Sequence, residues 1–313
     1  MTQRRTFLKT AGVVGCTGAL AGCLGIGGEP FNDGEIDFNV SPSVPQSDLE
    51  VQYAPIREFL SNEFDTTTKM NLADNYSAVI EALGAGTTDI AETGPFAAAL
   101  GVKDDNAEII LQRKGFGTWT YKSIIAVRND SDIEEVGDLE GRSVAFSDPL
   151  STSGALYPLY NISQADVDIG NLPSGNGSEA AFEAVFAGGH VSSYEQLVEG
   201  QVDAAGMGGF VRDTGAGPSP DEFESNARTL AESTGLPRAP IVVSPELSDD
   251  RKEEVQQAVI DAPQDIYWGQ DGEEGTDDDL WFNDVREAGV DKYQSVIDVA
   301  TELGVGTDVF ESG

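Results

Sequence analysis

The chain has 313 residues, with 55 Asp and Glu against 18 Lys and Arg, for a formal net charge of −37. Such a surface repels phosphate backbones and anionic headgroups, which excludes binding to nucleic acid or to an acidic membrane through surface charge. The acids are spread along the whole chain and 39% of the residues are hydrophobic, so a packed core with a surface adapted to very high salt fits better than disorder and implies a halophilic archaeal source.

The N-terminus reads Arg4-Arg5-Thr6-Phe7-Leu8-Lys9, followed by an apolar Gly/Ala-rich run ending Leu20-Ala21-Gly22-Cys23. A twin arginine before a short apolar stretch is the pattern of a Tat-type export signal, and this run is too short and glycine-rich to span a bilayer. The Leu-Ala-Gly-Cys ending looks like a lipobox, in which Cys23 becomes the lipidated first residue. Residues 1–22 are therefore expected to be a signal peptide and 23–35 a Gly-rich, acidic tether. Cys16 leaves with the signal and Cys23 carries lipid, so no thiol remains for a disulfide, a metal site or a nucleophile. Loss of Arg4, Arg5 and Lys9 takes the mature charge to about −40.

Past the tether, Ile36–Val40 alternates as a strand, and Tyr53, Ile56, Phe59 and Leu60 share one face of a helix that Ser47 or Asp48 can cap. Thr67–Leu72 reads as a strand, Ser77–Leu83 as a helix stopped at Gly84, Thr88–Ala91 as a short strand, and Ala97–Leu100 as a helix opened by Gly94-Pro95-Phe96. Ala107–Gln112 and Tyr121–Val127 are β-branched apolar runs, and Ser143–Phe146 is a further strand. Residues 171–178 read as a surface insertion, Glu179–Phe186 as an amphipathic helix, Ser192–Val198 as a helix, and Val202–Ala205 as a buried strand. Residues 213–224 are loop-like, Ile241–Val243 resumes a strand, Ser248 caps a helix running to Ile260, and a last helix spans about Lys292–Leu303. The acidic loop Gly269–Asp279 lacks the spacing of an EF-hand and reads as solvated surface. This strand–helix alternation predicts an α/β fold with a largely parallel sheet.

Chemistry concentrates at Asp148-Pro149-Leu150-Ser151-Thr152-Ser153-Gly154, between the strand Ser143–Phe146 and the helix-compatible run that starts at Ala155. A helix start presents unpaired N–H groups and the positive end of the macrodipole, and three successive hydroxyls extend that donor set. Two readings fit the motif: an N-cap with spare hydroxyls, or an anion site. Two phrases, Tyr76–Leu83 with Asp89-Ile90-Ala91 and Ser192–Val198 with Val202–Ala205, share the outline of a helix, a glycine stop and a short strand. Two similar halves facing one another across a cleft would account for them.

The D-P-x-S-x-S-G motif at 148–154, Tyr76…Glu81-Ala82-Leu83…Asp89-Ile90-Ala91…Gly94-Pro95, Gly189-His190, Val202-Asp203-Ala204 and Pro240-Ile241-Val242 occur in one order. In this the chain resembles, over roughly residues 36–305, the phosphate/phosphite/phosphonate-binding receptors of ABC importers. The resemblance implies the type II periplasmic-binding-protein fold: two α/β lobes, residues 36–122 with 242–313 and residues 123–241, joined by a two-segment hinge. The crossings are expected near Tyr121–Arg128 and Pro237–Ser244. It further implies that Ser151, Thr152 and Ser153 hold phosphoryl oxygens, that Tyr76 and Tyr121 donate phenolic hydroxyls, and that His190, the single histidine, adds an imidazole donor. Uncharged donors would then suffice for the anion.

Relatives that take aminoalkylphosphonates place carboxylates where Phe210 and Ala239 stand here, so a ligand without an amine is expected: phosphate, phosphite or a small alkylphosphonate. Glu92 could take the hydrogen of a protonated phosphoryl oxygen or be a salt-adapted surface acid, and Asp203 suits a structural strand end. The expected partners are that ligand, an ABC permease and a lipid anchor on the outer face of the membrane, with no cofactor, no metal and a monomeric chain. A purely structural surface lipoprotein is one alternative at this level, and two more remain. One is a receptor of the same fold for a sulfonate or thiamine precursor. The other is a hydrolase using Ser151 or Ser153 with His190 and Asp203, although no Gly-x-Ser-x-Gly elbow accompanies them.

Overall fold

The computed structural model describes residues 31, 34–42, 50–175 and 177–312. The expected signal 1–22, the lipid-bearing Cys23, most of the tether and the Ser47/Asp48 cap lie outside the described residues. Among the described residues, no helix is long and apolar enough to cross a membrane.

Two sheets form the frame. In the first, β1 (Glu35–Val40) lies parallel to both β2 (Thr67–Leu72) and β3 (Ile90–Glu92), with α1 (Ala54–Glu63) and α2 (Tyr76–Gly84) as the crossovers. After α3 (Pro95–Lys103) comes β4 (Glu108–Gly115), and the C-terminal part of the chain returns as β10 (Pro240–Val243) and β11 (Phe282–Glu287), giving the order β11-β4-β10-β3-β1-β2. The second sheet is built from β5 (Thr120–Arg128), β6 (Ser143–Phe146), β7 (Glu183–Phe186), β8 (Ala204–Gly208) and β9 (Ala227–Pro237), in the order β7-β6-β8-β5-β9. The sheets are mixed rather than largely parallel. The strands that leave and re-enter each sheet, β4, β5, β9 and β10, pair antiparallel to their neighbours. Helices cover both faces of each sheet. Ile80, Leu83 and Phe96 lie on one face of the first and Ile56, Leu60 and Val255 on the other, while Leu159 and Leu197 sit on opposite faces of the second.

The chain passes between sheets twice, at residues 116–119 and 238–239. The run Tyr121–Arg128 is a strand of the second sheet along its whole length, so the first passage precedes it. Two further expectations are corrected. Glu179–Phe186 is not a helix: its last four residues form β7, because a short apolar run such as Ala-Val-Phe suits either conformation and here pairs with the open edge of β6 in parallel register. Residues 213–224 run into a helix, α6 (Pro220–Asn226), started by Pro220 at its first position and by Ser219, whose hydroxyl accepts from Glu222 N–H. The strands β9 and β11 went unread because both lie at sheet edges with polar outward faces.

The hydroxyl motif sits where α4 (Tyr157–Gln164) begins. The turn Thr152–Leu156 is π-helical: Leu156 N–H donates to Ser151 C=O and Tyr157 N–H to Thr152 C=O. The wider turn leaves carbonyls for outside partners. Ser153 C=O accepts from Ser123 Oγ of β5 at 2.7 Å, and Gly154 C=O accepts from Ser147 N–H at 3.1 Å. β8 packs directly behind this turn, and a Cβ on Gly206 would lie 2.8 Å from Pro158 Cγ and 3.0 Å from the Gly154 carbonyl oxygen. Gly206→Ala is expected to cost about 1–3 kcal/mol by overpacking, read as a lower urea midpoint in molar KCl; an unchanged midpoint would show that β8 does not brace the turn.

Candidate functional site

The hydroxyl turn faces the first sheet across a cleft, and one cavity of about 90 Å³ opens between them. Tyr76, Tyr121, Ser151, Thr152, Ser153 and His190 all line it. The three hydroxyl residues are each 1% exposed, so the motif faces neither bulk water nor a separate surface. Four helical segments begin here: α2 at Tyr76, α3 at Pro95, the π turn at Thr152, and α5 (His190–Val198). Their N-termini direct positive dipole ends and amides toward the cleft, the arrangement that suits an anion.

Bonds also cross the cleft. Phe96 N–H in α3 donates to Thr152 Oγ1 at 2.8 Å. The amide of Tyr76 at the start of α2 donates to the Asp148 carboxylate, which burial nonetheless holds above the usual carboxylate range. Tyr121 contacts the Ser153 and Thr152 side chains, and burial raises its phenol pKa, as it does that of Tyr76. Both tyrosines are therefore neutral donors.

Gly188, with φ +79, turns the chain into α5 in the left-handed region that favours glycine. His190 follows as the first residue of α5. Its Nδ1 lies 3.0 Å from both Gly208 N–H and Ser147 Oγ. The Gly208 amide can only donate, so Nδ1 is the acceptor and the ring proton sits on Nε2, which faces Ser151 Oγ at 3.5 Å. Burial pushes the imidazole down to about 4, so it is a neutral donor at pH 7. Asp203 is elsewhere: its carboxylate accepts from Ser143 N–H and Oγ–H, both at 2.9 Å, between β6 and β8. The Ser–His–Asp combination is thus not assembled, since Nδ1 is occupied by Gly208 and Ser147.

Charged groups were missed. Arg113 at the end of β4 and Arg238 in the return passage both line the cavity, so the expectation of uncharged donors alone is corrected. Arg113 pairs with Glu92, and the two are 2% and 1% exposed. Tyr53 O–H donates to the same carboxylate and Trp281 Nε1 donates to the Tyr53 hydroxyl at 3.2 Å. Glu92 is therefore not a surface acid; its carboxylate is held by Tyr53 and Arg113. The Arg113 guanidinium also lies 4.3 Å from the Trp281 ring.

Arg238 is 6% exposed and has no carboxylate partner among the described residues. Its guanidinium carbon is 5.3 Å from the Phe116 ring and 5.2 Å from the Tyr121 ring, Nη2 reaches Thr118 Oγ1 at 3.4 Å, and Nε has no partner. Burial, reinforced by the charge of Arg113, lowers its pKa to about 10, which still leaves it cationic at neutral pH. Two ring contacts at about 0.5–2 kcal/mol each fall short of the several kcal/mol that desolvating an ion costs. Phe210 and Ala239 also line the cavity, and Phe210 stands edge-on to His190 at 4.9 Å. Among the described residues no cluster of His, Cys, Asp or Glu is arranged to hold a metal.

Residues 38–293 match the family model of the periplasmic substrate-binding proteins of phosphonate ABC transporters, and the chain belongs to that family. It is 34% identical over 180 residues to the phosphate-import protein PhnD of Mycolicibacterium smegmatis, a match covering 55% of this chain and about half, 53%, of that protein. Its fold is similar to that of a binding protein of an ABC phosphonate transporter from Pseudomonas aeruginosa (TM-score 0.69, 20% identity, 86% of each chain). It is also similar to PhnD1 from Prochlorococcus marinus, solved with methylphosphonate (TM-score 0.71, 18% identity, 86% of this chain and 98% of that one).

Two outcomes test the site's energetics. The His190 pKa is below its ordinary 6.5, so the unfolded chain takes up a proton first as pH falls. Stability present above pH 6.5 should drain away between 6.5 and about 4, by about 3 kcal/mol at 1.36 kcal/mol per pKa unit. His190→Gln should flatten that part of the melting-temperature profile relative to wild type. Arg113→Met, which leaves Glu92 buried without its cation, should cost about 3–5 kcal/mol, and adding Glu92→Gln should recover much of it in a double-mutant cycle.

Proposed function

We propose that this chain is the solute receptor of an ABC importer and binds a small phosphorus oxyanion without an amine (phosphate, phosphite or an alkylphosphonate) in the cleft. One observation carries the proposal. The Ser151–Ser153 hydroxyls, the His190 Nε2–H and the Tyr76 and Tyr121 phenols, all donors that stay neutral, converge on one buried cavity at four helix N-termini. Phe210 and Ala239 support a ligand without an ammonium, which would be desolvated there with no carboxylate free to pair with it.

In this proposal residues 36–122 with 242–313 form one lobe and 123–241 the other, and ligand closes them by a hinge motion. The closed receptor hands its ligand to the permease. Residues 1–22 direct export, Cys23 carries the lipid that keeps a monomeric receptor at the outer face of the membrane, and the acidic surface serves a halophilic cell.

Titration calorimetry of the ligand-stripped protein in molar KCl tests this against phosphate, phosphite, methylphosphonate, 2-aminoethylphosphonate and sulfate. Binding should be confined to phosphorus compounds without an amine. Ser151→Ala should weaken it by about 1–3 kcal/mol, the scale of a hydrogen bond to a charged group. Tight 2-aminoethylphosphonate binding, or a Kd unchanged by Ser151→Ala, would overturn the assignment.

A further inference from the structure

Arg238 differs from the donors that would grip a phosphoryl group in carrying a full charge, with no carboxylate partner among the described residues. It lies on the return passage, next to Ala239, with its guanidinium between the Phe116 and Tyr121 rings. The other buried cation at the cavity, Arg113, is neutralised by Glu92, so this end of the cavity carries one uncompensated positive charge. The side chain is more than nine-tenths buried, and among the described residues Nε has no partner and the fork makes one hydrogen bond, the 3.4 Å contact from Nη2 to Thr118 Oγ1. A planar guanidinium with free N–H groups matches the two oxygens of a carboxylate.

We propose that Arg238 is a specificity-determining residue that pairs with a second anionic group on the ligand, and that the preferred ligand is a phosphonate whose substituent ends in a carboxylate. This rests on the cleft being the phosphorus-oxyanion site proposed above. The hydroxyl turn, His190 and the two tyrosines hold the phosphoryl end. Arg238 holds the second anionic group, with Ala239 next to it in the cavity lining. An ammonium in that position would face an unpaired guanidinium.

Phosphonoacetate, methylphosphonate and 2-aminoethylphosphonate, titrated by calorimetry into the full chain in molar KCl, test the proposal. Wild type should bind phosphonoacetate at least tenfold more tightly than methylphosphonate. Arg238→Gln should bring the two within about threefold by weakening phosphonoacetate, with methylphosphonate little changed, and Arg238→Lys should keep part of the preference. Equal affinity of wild type for the two ligands would overturn the proposal without any variant having to fold. An equal loss for both ligands in Arg238→Gln would also overturn it, making Arg238 a general counter-charge. Methylphosphonate binding without a phosphonoacetate preference would leave the receptor assignment standing, whereas binding of no phosphorus compound would remove both.

Discussion

The Phe96 amide donates to Thr152 Oγ1, and the Tyr76 amide donates to Asp148, in each case from one sheet's helices to the other's hydroxyl motif. These are N–H groups at the first turns of α3 and α2, which have no partner inside their own helices. Closing the two halves therefore satisfies backbone donors that would otherwise face the cleft. Leu150, Leu156 and Tyr157 from the same motif join the apolar cluster around Phe96 and Val79, so the polar bonds and the buried apolar surface hold one geometry. The enclosed cavity follows from that closure. Were the halves apart, the three hydroxyls would cap one helix and nothing more.

The anion site proposed for a chain of net charge −37 needs a local answer. At molar salt the Debye length is about 3 Å, so acids on the surface are screened from the cleft. Groups in contact with a buried ligand are not. Four helix starts, three hydroxyls, a neutral imidazole and one guanidinium without a counter-ion set the field there, and the Glu92–Arg113 pair adds structure without net charge. In the proposed high-salt setting, recognition would fall to these short-range donors.

Much of the frame was legible in the sequence, because the inner strands β1, β6 and β10 are apolar or alternate cleanly and their helices carry glycine stops or serine caps. The edge strands were not: β7 and β9 take their conformation from a neighbour's open edge, and a four-residue run such as Glu183–Phe186 is too short for periodicity to decide between helix and strand. The hydroxyls, His190 and both tyrosines could be named because each sits in a phrase of distinctive residues. Tyr53 looked like one more member of a helix face, yet it begins α1 and turns its hydroxyl to Glu92. Arg113 and Arg238 escaped notice because a lone base at the end of an apolar run reads as a strand terminus. Their scarcity was the available signal: with 18 basic residues against 55 acids, a base flanked by Pro237 and Pro240 is conspicuous.

Arg238 lies in the return passage and Arg113 in β4 beside it, where Arg238 N–H donates to Trp119 C=O and Arg113 N–H to Ala239 C=O, both at 3.1 Å. Points near a rotation axis travel least. In the proposed hinge motion, Arg238 would therefore keep its station while Ser151, Thr152 and Ser153 travel with the second sheet. A second anionic group on the proposed ligand would then be met at the pivot, by a side chain whose position does not depend on how far the halves have closed.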